Sequence, residues 1–291
     1  MDHNAILRPL WMMREQGRIS FDLAPADQFG FVDPDDIKKL VRTNTRMVAM
    51  THASNICGAI QPAAEVGAMC RELGIPFMLD VAQTAGALPI DMSALQCDLI
   101  AFTGHKSLCG PTGVGGLVIG PDVDLESSRW GGTGVRSAQR AHLQEYPYRL
   151  EAGTLNSVGI IGLGASLRWL AEKDIAKVIE QEKTLARQFR SGLTTIANIE
   201  TYGPQDDTYQ MPVIALNLSG QAPDKVGMFL DVDWNIAVRT GLHCAPLAND
   251  ALGIGPDGSV RFSFGPFNTT DHVDLALQAL AKISASDSGQ A

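Results

Sequence analysis

Residues 62–83, PAAEVGAMCRELGIPFMLDVAQ, decide the fold. Pro62 to Leu73 is predicted to be a helix: its apolar residues recur at helical spacing, and Gly74 stands where a left-handed C-cap is wanted. Ile75 to Leu79 is then a short apolar run that reads as a buried strand and ends directly on Asp80. Helix, tight turn and buried strand in this order form one unit of a layered α/β sheet. Outward from this unit the rhythm repeats. Asp33 and Pro34 open a helix running into Ile37 to Val41, after which Met47 to Met50 is a second buried strand. Downstream, Asp98 to Phe102 and Gly115 to Ile119 are two more, separated by a polar, Gly-rich stretch from Thr103 to Gly113. Ligands of such sheets bind beyond the carboxyl ends of the strands, where Asp80 and residues 103–106 fall.

Past Gly120 the style changes. A Gly-rich irregular stretch runs from Trp130 to Gly153, followed by helical patterning from about Asn156 to Ile196 with Leu163, Leu167 and Leu170 on one face. Met211 to Asn217 and Ser259 to Phe264 alternate as half-buried strands, with helices expected around Asp224 to Leu230 and Asp271 to Ile283. This α+β pattern predicts a second, smaller domain, so residues 1–170 are assigned to a large domain and 171–291 to a small one. Ser284 to Ala291 reads as a polar tail.

Composition limits the function. Apolar residues make up 45% of the 291 and charged ones 19%, enough to bury a sizeable core. Lys+Arg 23 against Asp+Glu 32 gives a net charge of -9, which repels a phosphate backbone, so no nucleic-acid partner is expected. The five cysteines, Cys57, Cys70, Cys97, Cys109 and Cys244, are odd in number and contain no CxxC pair. A reducing, cytoplasmic location is therefore expected. No apolar stretch approaches the roughly 20 residues of a membrane span, and the first residues lack the apolar core of a secretion signal.

Candidate chemistry gathers at the strand ends. Asp80 is either a turn cap or a buried carboxylate in need of a partner. In Thr103-Gly104-His105-Lys106 a hydroxyl, an imidazole and an amine share one turn, which suits an anionic ligand. Taken singly, Lys106 reads as a solvated surface lysine; in a desolvated site its amine can condense with a carbonyl as a Schiff base. Read together, Asp80, Gln83 and Lys106 supply what pyridoxal phosphate requires: an acid for the ring nitrogen, a donor beside the phenolic oxygen and an amine for the aldehyde.

These segments also carry a resemblance. Leu79-Asp80-Val81-Ala82-Gln83, Thr103-Gly104-His105-Lys106 with Gly110-Pro111-Thr112-Gly113 behind it, and Arg239-Thr240-Gly241-Leu242-His243-Cys244-Ala245-Pro246 resemble the cysteine desulfurases of the class V aminotransferase group. The resemblance spans nearly the whole chain. It implies a fold-type I, pyridoxal-phosphate-dependent large domain. The sheet would be mainly parallel, of the seven-stranded type and incomplete at the N-terminus, and a small α+β domain would follow. It further implies that Lys106 holds the cofactor aldehyde, Asp80 the ring nitrogen and Gln83 the phenolic oxygen, with Ala82 beneath the ring and His3 stacked on its other face. Thr103 and His105 would hold the phosphate, and Gly153 and Thr154 would complete that site from a second subunit, so a homodimer is implied. Asn55, Arg239 and Arg261 would grip the substrate carboxylate; strand alternation sets Arg261 and Ser263 opposite Val260, Phe262 and Phe264.

Cys244 separates the possible reactions. A transaminase needs no thiol, whereas a desulfurase converts L-cysteine to L-alanine by taking the sulfur as a persulfide. Cys244 is assigned that task, with positive charge from His243 or Arg239 to activate it. The persulfide would pass to a sulfur-acceptor protein. The other four cysteines read as small buried hydrophobes. The family's Gly-Thr-Glu type turn, whose helix N-terminus anchors the cofactor phosphate, has no counterpart in these residues, so weaker cofactor binding is expected. Selenocysteine lyase, another class V reaction, or an inactive or partner-dependent shortened homologue stay open as alternatives. A metal site from His52, Cys57, His243 and Cys244 lacks the compact spacing of zinc ligands.

Overall fold

The computed structural model describes residues 1–286. The order of elements is α1 (Asn4–Glu15), α2 (Pro34–Leu40), β1 (Val48–Thr51), α3 (Ala63–Leu73), β2 (Phe77–Asp80), β3 (Leu99–Thr103), β4 (Gly115–Ile119), α4 (Ser157–Glu172), α5 (Ile175–Leu193), β5 (Ile199–Tyr202), β6 (Val213–Leu218), α6 (Pro223–Trp234), β7 (Arg239–Gly241), α7 (Pro246–Ala251), β8 (Ser259–Ser263) and α8 (Thr270–Ser286).

Two four-stranded sheets carry the structure. In the first, β1, β2 and β3 run parallel and β4 returns antiparallel to β3. Thr51 pairs with Asp80 and Asp80 with Ala101, so β1 and β2 end at one level and β3 runs two residues further toward the same side. β2 is almost wholly buried, as its unbroken apolar run requires. α2 and α3 pack Ile37, Val66 and Met69 onto Met50, Phe77, Leu79 and Ile100. α3 stops at Gly74, whose φ of 64° is the left-handed cap that glycine adopts without strain.

The second sheet, in the order β5-β6-β8-β7, is antiparallel throughout. α5, α6 and α8 bury Phe189, Leu230 and Leu280 against Leu216 and Val260. A smaller cluster joins the two layers: Ile56, Cys57 and Ala59 from the loop after β1 meet Ala215 of β6 and Ala245 and Ala248 around the start of α7. The alanines let these backbones approach closely, and this brings the Cys244 loop to the end of the first sheet.

The first sheet is mainly parallel and holds four strands among the described residues, in keeping with the incomplete sheet expected. Other expectations are corrected. The helical stretch expected from 156 to 196 is two helices, broken where Asp174 takes a φ of 62°. Leu163 and Leu170 are buried but Leu167 is exposed, because it sits on the shoulder of the stripe, about 40° and 60° round the helix from them. α8 extends through the start of the expected tail, and Ser284 Oγ donates to Ala197 O at 2.7 Å; residues 287–291 of that tail lie outside the described residues.

Candidate active site

At the end of β2, Asp80 is buried, and its Oδ1 accepts the Ala82 N–H at 2.9 Å. It thus caps the turn from a buried position. On the next strand end Thr103 Oγ1 lies 2.8 Å from His105 Nδ1. Lys106 is half-buried, and burial pushes its amine below the ordinary lysine range; Asp80 opposes the shift, and Arg261 and Arg239 add to it. His3 caps α1 by accepting the Ala5 N–H on Nδ1 at 3.0 Å. Burial and then Lys106 lower its pKa, Asp80 raises it and Arg239 lowers it again. His3, Asp80, Lys106, Arg239 and Arg261 therefore share one electrostatic neighbourhood. Asp2 Oδ1 accepts the Thr51 N–H at 2.7 Å, which ties the segment carrying His3 to the end of β1.

The facing wall comes from β7 and β8. Their register sets Arg239 directly opposite Arg261. Like charges so paired repel, and an anion between them removes the repulsion. Arg261 Nη1 donates to the Asn55 carbonyl at 2.8 Å, while its Nε is buried with no hydrogen-bond partner. That free N–H is what a carboxylate would satisfy. Arg239 Nη2 lies 3.3 Å from Sγ of the exposed Cys244. Asn55 spends one amide N–H on the His243 carbonyl, at 2.7 Å.

His243 does not play the part expected of it. It is buried, with Nε2 3.1 Å from both the carbonyl and the hydroxyl of Ser259. A carbonyl only accepts, so Nε2 carries the proton. Burial, helped by Arg261 and Arg239, pushes its pKa down to about 4, which leaves the ring neutral at neutral pH. The positive groups near Cys244 are the two arginines. His52 is likewise buried and lowered to about 4, with Nδ1 2.9 Å from Thr84 Oγ1. Among the described residues no three His, Cys, Asp or Glu side chains converge as metal ligands.

Other expected residues are less engaged. Ala82, Gln83 and Thr103 are half-buried beside the cluster and His105 is exposed. Gly153 and Thr154 lie on an exposed stretch, with Gly153 N donating to Gly132 O at 2.8 Å. Cys57, Cys70 and Cys97 are buried and Cys109 partly so. Two surface clefts, of 480 and 730 Å³, lie along α5 and are lined by none of the cluster. Sequence reasoning missed Asp2, Asn249 and Ser259. Single polar residues without a motif gave no signal; only the neighbourhood of Cys244 pointed toward the last two.

Residues 1–276 match the family model described as aminotransferase class-V. A probable cysteine desulfurase of Methanothermobacter thermautotrophicus is 32% identical over 289 residues, covering 98% of this chain and 72% of the relative. A cysteine desulfurase of Enterobacter sp. (strain 638) is 35% identical, covering 97% of this chain and 69% of its own length. Among solved structures, the apo cysteine desulfurase from Thermococcus onnurineus NA1 superposes with a TM-score of 0.86 at 30% identity, over 98% of this chain and 71% of that one. The Escherichia coli cysteine desulfurase CsdA, in an S-sulfonic acid form, gives 0.83 at 29% identity, over 97% and 69%.

Proposed function

Because the chain belongs to the class-V aminotransferase family, we propose that it is a cysteine desulfurase that uses pyridoxal phosphate to convert L-cysteine to L-alanine. The observation that carries this reading is Cys244 Sγ held 3.3 Å from Arg239 Nη2, beside a pair of guanidiniums suited to an amino-acid carboxylate.

The residues present fit the cofactor. A half-buried amine with a lowered pKa beside a buried carboxylate is the donor set its aldehyde and ring nitrogen need, so Lys106 and Asp80 would hold them. Thr103 and His105 would take the phosphate, Gln83 the phenolic oxygen, and Ala82 and His3 the two ring faces. Bound pyridoxal phosphate supplies an electron sink for bonds at the substrate α-carbon. Arg261, with its unsatisfied Nε–H, and Arg239 bind and orient the carboxylate. Lys106 Nζ would hold and return the α-proton, its burial favouring the neutral amine. Cys244 accepts the sulfur as a persulfide; its exposure leaves that sulfur open to an acceptor protein. Gly153 and Thr154, on an exposed stretch, would serve the phosphate of a second copy, so the working unit would be a homodimer. Residues 1–170 would form the cofactor-binding part and 171–291 the smaller part. No described helix is long and apolar enough to cross a membrane, and the cysteine pattern favours the cytoplasm.

The test is the visible spectrum after incubation with pyridoxal phosphate and removal of excess, followed by alanine formation from cysteine. A protein-bound band absent in Lys106→Ala, and alanine formation lost in Cys244→Ser, are expected. No band in the parent protein would defeat the cofactor assignment, and undiminished alanine in Cys244→Ser would defeat the persulfide route.

A further inference from the structure

Three consecutive carbonyls of the thiol loop are each caught by a different element. Leu242 O accepts from Asn249 Nδ2 at 2.9 Å, His243 O from Asn55 Nδ2 at 2.7 Å, and Cys244 O from the Asn4 backbone N–H at 2.8 Å. Asn249, itself buried on α7, gives its second N–H to Ala245 O at 3.1 Å. The loop needs such restraint, because His243 and Cys244 both adopt positive φ, 53° and 59°, which non-glycine residues rarely do even singly. The His243 ring is the fourth tether, fixed on Ser259 of β8. Ser259 is delivered there by a close backbone crossing: a Cβ on Gly258 would lie 2.1 Å from the Gly241 carbonyl.

We infer that Asn249, together with His243 anchored on Ser259, is a positioning residue: the clamp holds Cys244 Sγ on the Arg239–Arg261 pair, so that thiol and carboxylate site keep one fixed separation. Neither residue touches the reacting atoms. Asn249 spends both N–H groups on loop carbonyls, and His243 acts through its Nε2–H and not through charge. Charge near the thiol comes from Arg239 on β7 and Arg261 on β8. The catalytic meaning of the clamp rests on the desulfurase reading of Cys244, but its geometry does not.

The experiment alkylates Cys244 with two reagents that differ in a carboxylate. In each, the sulfur displaces iodide: an S–C bond forms, the C–I bond breaks and iodide leaves. Iodoacetate can seat its carboxylate on the arginine pair while its carbon meets the thiol; iodoacetamide cannot. The ratio of the two rates therefore reports the thiol's placement, while general loosening of the fold changes both rates alike. Rates are measured on the full chain incubated with pyridoxal phosphate, reading Cys244 by peptide mass. The expected ratio falls several-fold in Asn249→Ala and in His243→Ala, to the level of Arg239→Ala. In His243→Gln, which keeps an N–H for Ser259 and has no titratable ring, it stays at the parent value. If Asn249→Ala does not fold, Asn249→Ser carries the same comparison. Parent-like ratios in the Asn249 and His243→Ala variants, or a fall in His243→Gln equal to that in His243→Ala, would overturn the proposal. Because the ratio is read without turnover, a chain that makes no alanine but shows this pattern separates failure of the desulfurase reading from failure of the clamp.

Discussion

Three buried titratable side chains make the protein's stability depend on pH in opposite directions. His52 and His243 titrate near 6.5 when unfolded and at about 4 in the fold, through burial first. The folded protein thus binds fewer protons, and stability is lost as pH falls from about 6.5 toward about 4. At pH 5 each costs about 1–2 kcal/mol. Urea midpoints measured across this range should fall steeply for the parent and less steeply for His52→Gln; an unchanged slope would show that His52 is not buried as described. Glu182, buried on α5, has its carboxyl pushed up to about 7 by burial alone. Here the folded state binds more protons, so stability present below pH 4.5 is lost as pH rises through about 7. Glu182→Gln is expected to add about 3 kcal/mol at pH 8 and almost nothing at pH 4, read from the same denaturation curves. None of these three was legible in the sequence. Glu182 sits among Glu180, Lys183 and Arg187 in a stretch that reads as a solvated helix face, and only tertiary packing buries it.

At the scale of elements, local preference and packing agree in some places and conflict in others. α3 and β2 were legible because capping glycine, helical spacing and a buried apolar run all point one way. α1 was not: it contains Pro9, whose missing N–H works against a helix interior, and it is held by its His3 cap and by Asn4 N on Cys244 O. β7, three residues long, and α7, six, are too short to show a period. The site divides likewise. Asp80, Lys106 and Cys244 stand in motifs, but the Asn55–His243 bond joins residues 188 apart and could not be read from either end. α3 supplies a test of packing against propensity. A Cβ on Gly67 would lie 2.0 Å from the Leu95 carbonyl, in the turn that leads into β3. Gly67→Ala should therefore lose about 2 kcal/mol or more, although alanine is the better helix former by about 1 kcal/mol. Gly74→Ala meets nothing within 4 Å but must hold a φ of 64°, so it should cost only about 1 kcal/mol. Equal losses in chemical denaturation would mean that backbone strain, and not the Leu95 contact, governs α3.

At the scale of the molecule, the two sheets have separate cores, and the alanine-lined contact between them places the thiol loop against the strand ends. One large apolar surface stays open. On α4, Val158 is 81% exposed and Ile161 70%, with Ile160 and Leu167 beside them, while Gly159, Leu163 and Leu170 face inward. Helical period explains the inward stripe but not the outward one, which a lone soluble chain has no reason to keep. α4 begins three residues after Gly153 and Thr154, the pair read as completing a second copy's phosphate site. A homodimer that covers this face would bring the pair to that site. Val158→Lys with Ile161→Lys should then leave the unfolding free energy of dilute protein within about 0.5 kcal/mol, since both side chains are exposed in a single chain. In sedimentation the parent should run as a dimer and the double variant as a monomer, with weaker retention of pyridoxal phosphate. A dimeric double variant would place the interface elsewhere. A monomeric parent that retains the cofactor would mean that the phosphate is held without Gly153 and Thr154, leaving Thr103 and His105 as its protein ligands.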